Sequence, residues 1–180
     1  KANNGTTSTQ GLYGNAGSAS TDNTITLGTS GTSGVVVNNA GQITTPAQPM
    51  FDAGRNAGYQ ADDNDFVQDY VRTNIGSHYD NSNGRFTAPI DGKYFIGFRI
   101  FTHDSGGVVQ AEVTLKKNGS AAFVFRQHKT GAYHTAVQGG LVLTLSANDY
   151  VNTYVGDSGT SSGWQGSAHE YNYFTGFLIG

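Results

Sequence analysis

Four of the five histidines, His103, His128, His134 and His169, fall at the edges of three Gly-containing connections, beside Tyr133, Glu170 and the only tryptophan, Trp164. Imidazoles, a carboxylate and aromatic rings on loops could hold a metal ion or grip a ligand. No local spacing resembles a zinc motif. The densest acidic stretch is Asp62-Asp63-Asn64-Asp65, whose oxygens suit calcium but which lacks the spacing and the glycine of an EF-hand loop. Calcium therefore stays open, beside the reading of that run as a solvated loop. No other cofactor is implied, and no metal ligand can be named. Trp164, flanked by Gly163, Gln165 and Gly166, has two readings: an exposed ring that stacks on a sugar or anchors a protein partner, or a ring folded back to cap a core. For catalysis there is no Gly-x-Ser-x-Gly elbow in a strand-turn-helix context, and no pair of carboxylates can be singled out. The chain reads as a non-enzyme.

The 180 residues suit one domain with an appendage. Only 13% are charged and the net charge is -3, which offers no basic surface for nucleic acid. Without cysteine there is no disulfide, thiolate metal site or thiol nucleophile. No apolar run approaches the roughly 20 residues of a membrane-spanning helix, so no membrane insertion is expected. No signal peptide is visible, and Lys1 in place of Met reads as the start of a processed product or an excised fragment.

The elements that must position these loops are strands. Residues 83–101 read as a turn, a short strand ending at Pro89, a second turn at Asp91-Gly92 and a long strand. On the long strand one face carries Tyr94, Ile96, Phe98 and Ile100, and the other Phe95, Gly97, Arg99 and Phe101. A sandwich strand normally buries one face and wets the other, so a strand apolar on both needs a second dry surface. Another subunit would supply it. Tyr171, Tyr173, Phe174, Phe177 and Ile179 put aromatic and apolar residues on both sides of the last strand as well.

Residues 1–48 are dominated by Thr, Gly, Asn and Ser, with Lys1 and Asp22 as the only charges. Such a segment cannot form a compact monomeric core. It reads as a flexible linker at its start, then as short β pieces at 24–27, 35–37 and 42–44 between glycines, a stalk that several chains could share through Ile25, Leu27, Val35, Val37 and Ile43. Pro46-Ala47-Gln48-Pro49 marks a boundary, giving 1–48 as stalk or linker and 49–180 as the folded domain.

From Met50 onward the pattern is all β, with candidate strands at 50–53, 66–73, 78–79, 85–87, 93–103, 108–117, 121–128, 134–145, 149–156 and 170–179. The Asp-rich run 61–70 could hold one helical turn. Eight to ten strands at this spacing imply a sandwich or jelly roll. If strand directions alternate, the connections 103–107, 128–134 and 157–169 share the end opposite Gly180.

Together, Phe51-Asp52-Ala53 with Arg55, Asn74-Ile75-Gly76, His78-Tyr79-Asp80, Gly84-Arg85-Phe86-Thr87-Ala88-Pro89, Gly92-Lys93-Tyr94-Phe95, Leu115 with Asn118-Gly119, residues 140–145 with Asp149 and Val151, and the terminal Phe174-Thr175-Gly176-Phe177-Leu178 resemble the complement C1q-like domain of the wider tumour necrosis factor superfamily. The resemblance implies a ten-stranded jelly roll assembled as a threefold homotrimer, with Tyr94, Phe98, Tyr171, Tyr173 and Phe177 at its interface or core. Complement-type relatives usually follow a collagen stem, yet residues 1–48 have no Gly-X-Y period. Residues 35–46 instead look like the short β repeat that leads into C1q-like tips on bacteriophage tail fibres and bacterial surface proteins.

The expected function is a trimeric receptor-binding tip of a tail fibre on a virion, or otherwise an extracellular protein. Its partners would be further copies of itself and a bacterial surface polysaccharide or protein, met through Trp164, Tyr133, His103, His128, His134 and His169. The alternatives are a structural trimerisation clamp with inert loops, and a bacterial adhesin or lectin.

Overall fold

The computed structural model describes residues 13–14, 25–27, 34–37, 40–102, 108–130, 134–156 and 163–180. The chain divides into two units, Lys1–Gln48 and Pro49–Gly180. In the first, β1 (Tyr13–Gly14), β2 (Ile25–Leu27), β3 (Val35–Val37) and β4 (Ile43–Thr44) pair in chain order as a four-stranded antiparallel sheet. Val35–Val37 of β3 are only partly buried, and Ile43 of β4 is 69% exposed.

The second unit is a sandwich. Its strands are β5 (Met50–Gly54), β6 (Asn64–Asp65), β7 (Tyr70–Ile75), β8 (Tyr79–Asp80), β9 (Arg85–Thr87), β10 (Gly92–Phe101), β11 (Val108–Lys117), β12 (Ser120–Thr130), β13 (Ala136–Leu145), β14 (Tyr150–Val155) and β15 (Tyr173–Leu178). One sheet runs β13-β10-β15-β5-β7; the other runs β12-β11-β14-β9-β8, with β6 added against β14. This is the jelly-roll-like arrangement expected. The described residues of this unit give eleven strands rather than ten, because the Asp-rich run 61–70 forms the two-residue β6 and no helical turn. Asn64 and Asp65 find ladder partners in Val155 and Tyr154, and Asp63 with φ +57° breaks any helical continuation.

Turn chemistry sets the register. Asn118 and Gly119 have φ of +51° and +80°, the pair of positive angles a two-residue hairpin requires, and they join Lys117 to Ser120. The Asn118 amide then ties this hairpin to the turn before β14, donating to Asp149 Oδ1 at 2.7 Å and accepting from Tyr150 N at 2.9 Å.

Phe51 is the centre of the core. Its ring stacks on Phe86 at 4.7 Å and Tyr79 at 5.0 Å and meets Phe174 edge-on at 4.8 Å. Tyr94, Ile96, Phe98 and Ile100 of β10 complete the layer from the five-stranded sheet, all at most 1% exposed. Tyr94 and Phe98 therefore belong to the core of one chain. The chain enters and leaves this unit at one end, where Leu178 N donates to the Pro49 carbonyl at 3.0 Å and Lys93 N to that of Gly180 at 2.8 Å. Among the described residues no helix is long and apolar enough to cross a membrane.

Candidate functional site

Two surfaces concentrate unusual chemistry. The first is the face of the five-stranded sheet turned away from the core. Pairing places Phe95 beside Phe177 and Val142, Gly97 beside Thr175 and Gly140, Arg99 beside Tyr173 and Gln138, and Met50 beside Phe177. A Cβ on Gly140 would sit 2.9 Å from Phe95 Cζ, and one on Gly97 3.0 Å from Phe95 Cε1. The two glycines thus leave the space that the Phe95 ring lies in. Phe95 meets Phe177 at 5.4 Å, and Phe101 meets Tyr171 at 5.8 Å. Between these pairs the Arg99 guanidinium lies over Phe101 and Tyr173, 5.2 and 5.6 Å from the ring centres, and donates to the carbonyls of Tyr171 and Glu170. Val142, Tyr171, Met50 and Phe177 are 53, 50, 39 and 38% exposed. Contiguous apolar surface of this kind marks an interaction face. Toward its β7 edge, Arg72 grips Asp52 through Nε at 2.6 Å and Nη2 at 2.9 Å.

The second surface is the end of the sandwich opposite Pro49 and Gly180. Residues 103–107, 131–133 and 157–162 lie outside the described residues, and with them His103 and Tyr133. What is described overturns one expectation. Trp164 is 0% exposed. Residues 163–166 run as a bridging strand, with Trp164 paired to both Gln60 and Thr102. This turns the indole inward, where Nε1 donates to the Gly156 carbonyl at 3.2 Å. The tryptophan caps the core and is no exposed anchor, because backbone pairing on both flanks fixes which way its side chain points. Asn172, 1% exposed, reinforces the lock by donating to the Gln165 carbonyl at 2.7 Å and accepting from Phe101 N at 3.0 Å.

The described histidines do not converge. His128 is exposed on the edge strand β12. His134 Nδ1 lies 2.8 Å from the Thr102 carbonyl. His169 stacks on Tyr70 at 4.0 Å beside the far edge of the five-stranded sheet, 3.4 Å from Glu170. The acidic run is spent locally: Asp65 pairs with Lys116 at 2.9 Å, and Asp63 accepts from the Tyr154 hydroxyl at 3.2 Å. Among the described residues no three His, Asp or Glu side chains are placed to hold a metal ion.

Sequence reasoning missed that the connection 55–69 joins this same end. Its signal was the pairing of Gly54 with Tyr70 across the gap, which only the fold reveals. It also missed Asn152, a buried amide in β14; the polar pair Asn152-Thr153 inside an apolar strand was the available clue.

The family model for the C1q domain matches residues 50–179. The chain belongs to the C1q domain family. Over 109 residues this C1q domain chain is 31% identical to complement C1q tumor necrosis factor-related protein 3 of Mus musculus, a match covering 61% of the chain and 42% of that relative. The C1q domain chain thus spans less than half the length of that relative. Among solved structures it resembles the globular domain of the zebrafish complement 1qA protein, with TM-score 0.60, 23% identity and coverage of 74% and 98% of the two chains. It also resembles Eiger TNF from S. frugiperda, with TM-score 0.59, 11% identity and coverage of 74% and 94%. At these identities the C1q domain and its structural neighbours share a fold.

Proposed function

We propose that this C1q domain is a non-enzymatic homotrimeric recognition module, the receptor-binding tip of a phage tail fibre that meets a polysaccharide or protein on a bacterial surface. The observation that carries the trimer is the outer face of β10 and β15, where Phe95, Phe101, Tyr173 and Phe177, with Tyr171 just before β15, form an apolar surface on which Tyr171 and Phe177 are exposed. C1q domains typically form homotrimers and are generally non-enzymatic. The fibre context is supported by residues 1–48, which replace the collagen period with a ladder of very short strands whose composition suits a stalk shared among chains. Recognition is assigned to the end opposite Pro49, through His128 on β12, through His134 and His169, and through His103 and Tyr133, which lie outside the described residues. Trp164 serves there as the buried support.

Light scattering tests the assembly, and a mass of one chain at micromolar concentration would end the trimer reading. Fluorescently labelled protein is then offered to a panel of bacterial cells beside the His128→Ala/His134→Ala variant. Selective binding that the variant loses is expected. An intact trimer that binds no cells leaves the domain as a clamp that registers three chains.

A further inference from the structure

The outer face of the six-stranded sheet holds an arrangement that the fold alone does not explain. Along β14, Val151, Thr153 and Val155 point into the core at 0% exposure, so Tyr150, Asn152 and Tyr154 share the opposite face. Asn152 pairs with Lys116 of β11 on one side. On the other side Val151 pairs with Phe86, whose chain neighbour is Arg85. The strands that flank β14 thus each carry a cation near this face. The two cations differ in what holds them: the Arg85 guanidinium is 4.3 Å from the Tyr150 ring centre, whereas Lys116 Nζ, 3.7 Å from that of Tyr154, is also paired with Asp65 Oδ1 at 2.9 Å. Asn152 is left 2% exposed, with neither Nδ2 nor Oδ1 hydrogen-bonded, and Arg85 Nε is buried without a partner too.

Native proteins leave few buried polar atoms unpaired, because each forfeits its hydrogen bonds to water. Three in one cluster need a common partner. An anion would satisfy Arg85 Nε and Asn152 Nδ2, but Asn152 Oδ1 needs a donor, which a bare anion cannot supply. A hydroxyl beside the anion can. We propose that this cluster is a binding site for an acidic sugar, a carboxylate on a hydroxylated ring. Arg85 swings off Tyr150 to meet the carboxylate, Lys116 stays paired with Asp65, the Asn152 amide bridges carboxylate and hydroxyl, and the freed Tyr150 ring flanks the sugar. This adds a second recognition site, apart from the end opposite Pro49; it rests on the reading of the domain as a recognition module and is independent of the trimer, since it stands on the sheet that does not carry the aromatic face.

Calorimetric titration of the whole chain with methyl glucuronide, methyl glucoside and sulfate separates the requirements. The glucuronide should bind about tenfold or more tightly than either of the others, and less tightly at high salt. Asn152→Leu, close in size, should abolish that binding with an unchanged or higher melting temperature. Arg85→Gln should weaken it without loss of fold. Equal binding of sulfate and glucuronide would overturn the sugar assignment. An unaffected Asn152→Leu variant, or no heat from any ligand, would overturn the site itself. Glucuronide binding by a protein that ignores every bacterial cell would leave this site standing and sink the fibre-tip reading; cell binding without glucuronide binding would do the reverse.

Discussion

The rings of Phe95 and Phe177 meet at 5.4 Å on the side of their sheet that faces away from the core. Neighbouring strands thus hold an aromatic pair where a lone sandwich would place polar residues. Phe177→Asp should give single chains by light scattering while the far-ultraviolet circular dichroism stays that of a β sandwich. Phe177→Ala should change the stability of an isolated chain by less than about 1 kcal/mol, since the ring is already 38% exposed there.

Trp164→Ala removes a fully buried indole and the hydrogen bond to Gly156, and should cost about 3–5 kcal/mol in denaturant unfolding. Trp164→Phe keeps most of the volume and should cost distinctly less. A Trp164→Ala protein of parental stability would show that the indole does not cap the core.

Gly166→Ala should destabilise by about 1–3 kcal/mol or more. The new Cβ would lie 1.8 Å from the Gly58 carbonyl oxygen, a backbone atom with no rotamer to escape into. Gly180→Ala, which meets nothing within 4 Å, is the neutral comparison by denaturant midpoint.

Acid should loosen the hairpin at Asn118. Lys117 Nζ at 2.8 Å, the Asn118 amide and Ser146 N together hold the Asp149 carboxyl down to about 2. Its pKa in the folded chain lies below the unfolded value of about 3.9. The contribution is therefore complete above that value and fades as pH falls toward 2. Melting temperature against pH should fall more steeply over this window in the parent than in Asp149→Asn, and the two curves should converge at its acid end.

Strand positions were largely legible because alternation and turn residues are local properties. The candidate strand 108–117 is β11 to the residue, and Asn118-Gly119 makes the turn into β12. The direction a loop residue points was not legible. Trp164 is turned inward by pairing with Gln60 and Thr102, more than a hundred and about sixty positions away in sequence. Parity separated Tyr94 and Phe98 from Phe95 and Phe101 but could not say which face met the core. The facing sheet decides that, through contacts such as Phe125 against Phe98 at 4.9 Å. Asn152 escaped notice for a similar reason: its burial comes from the strands assembled around β14, which are distant in sequence.

The last strand in sequence, β15, lies between β10 and β5 in the middle of its sheet. During synthesis β5 therefore waits for a neighbour that more than a hundred residues separate from it, and the aromatic face stays divided until residues 173–178 have cleared the ribosome. At about 5–20 residues per second, that interval lasts several seconds or longer. Copies that meet through this face must therefore meet as domains whose last strand is already in place.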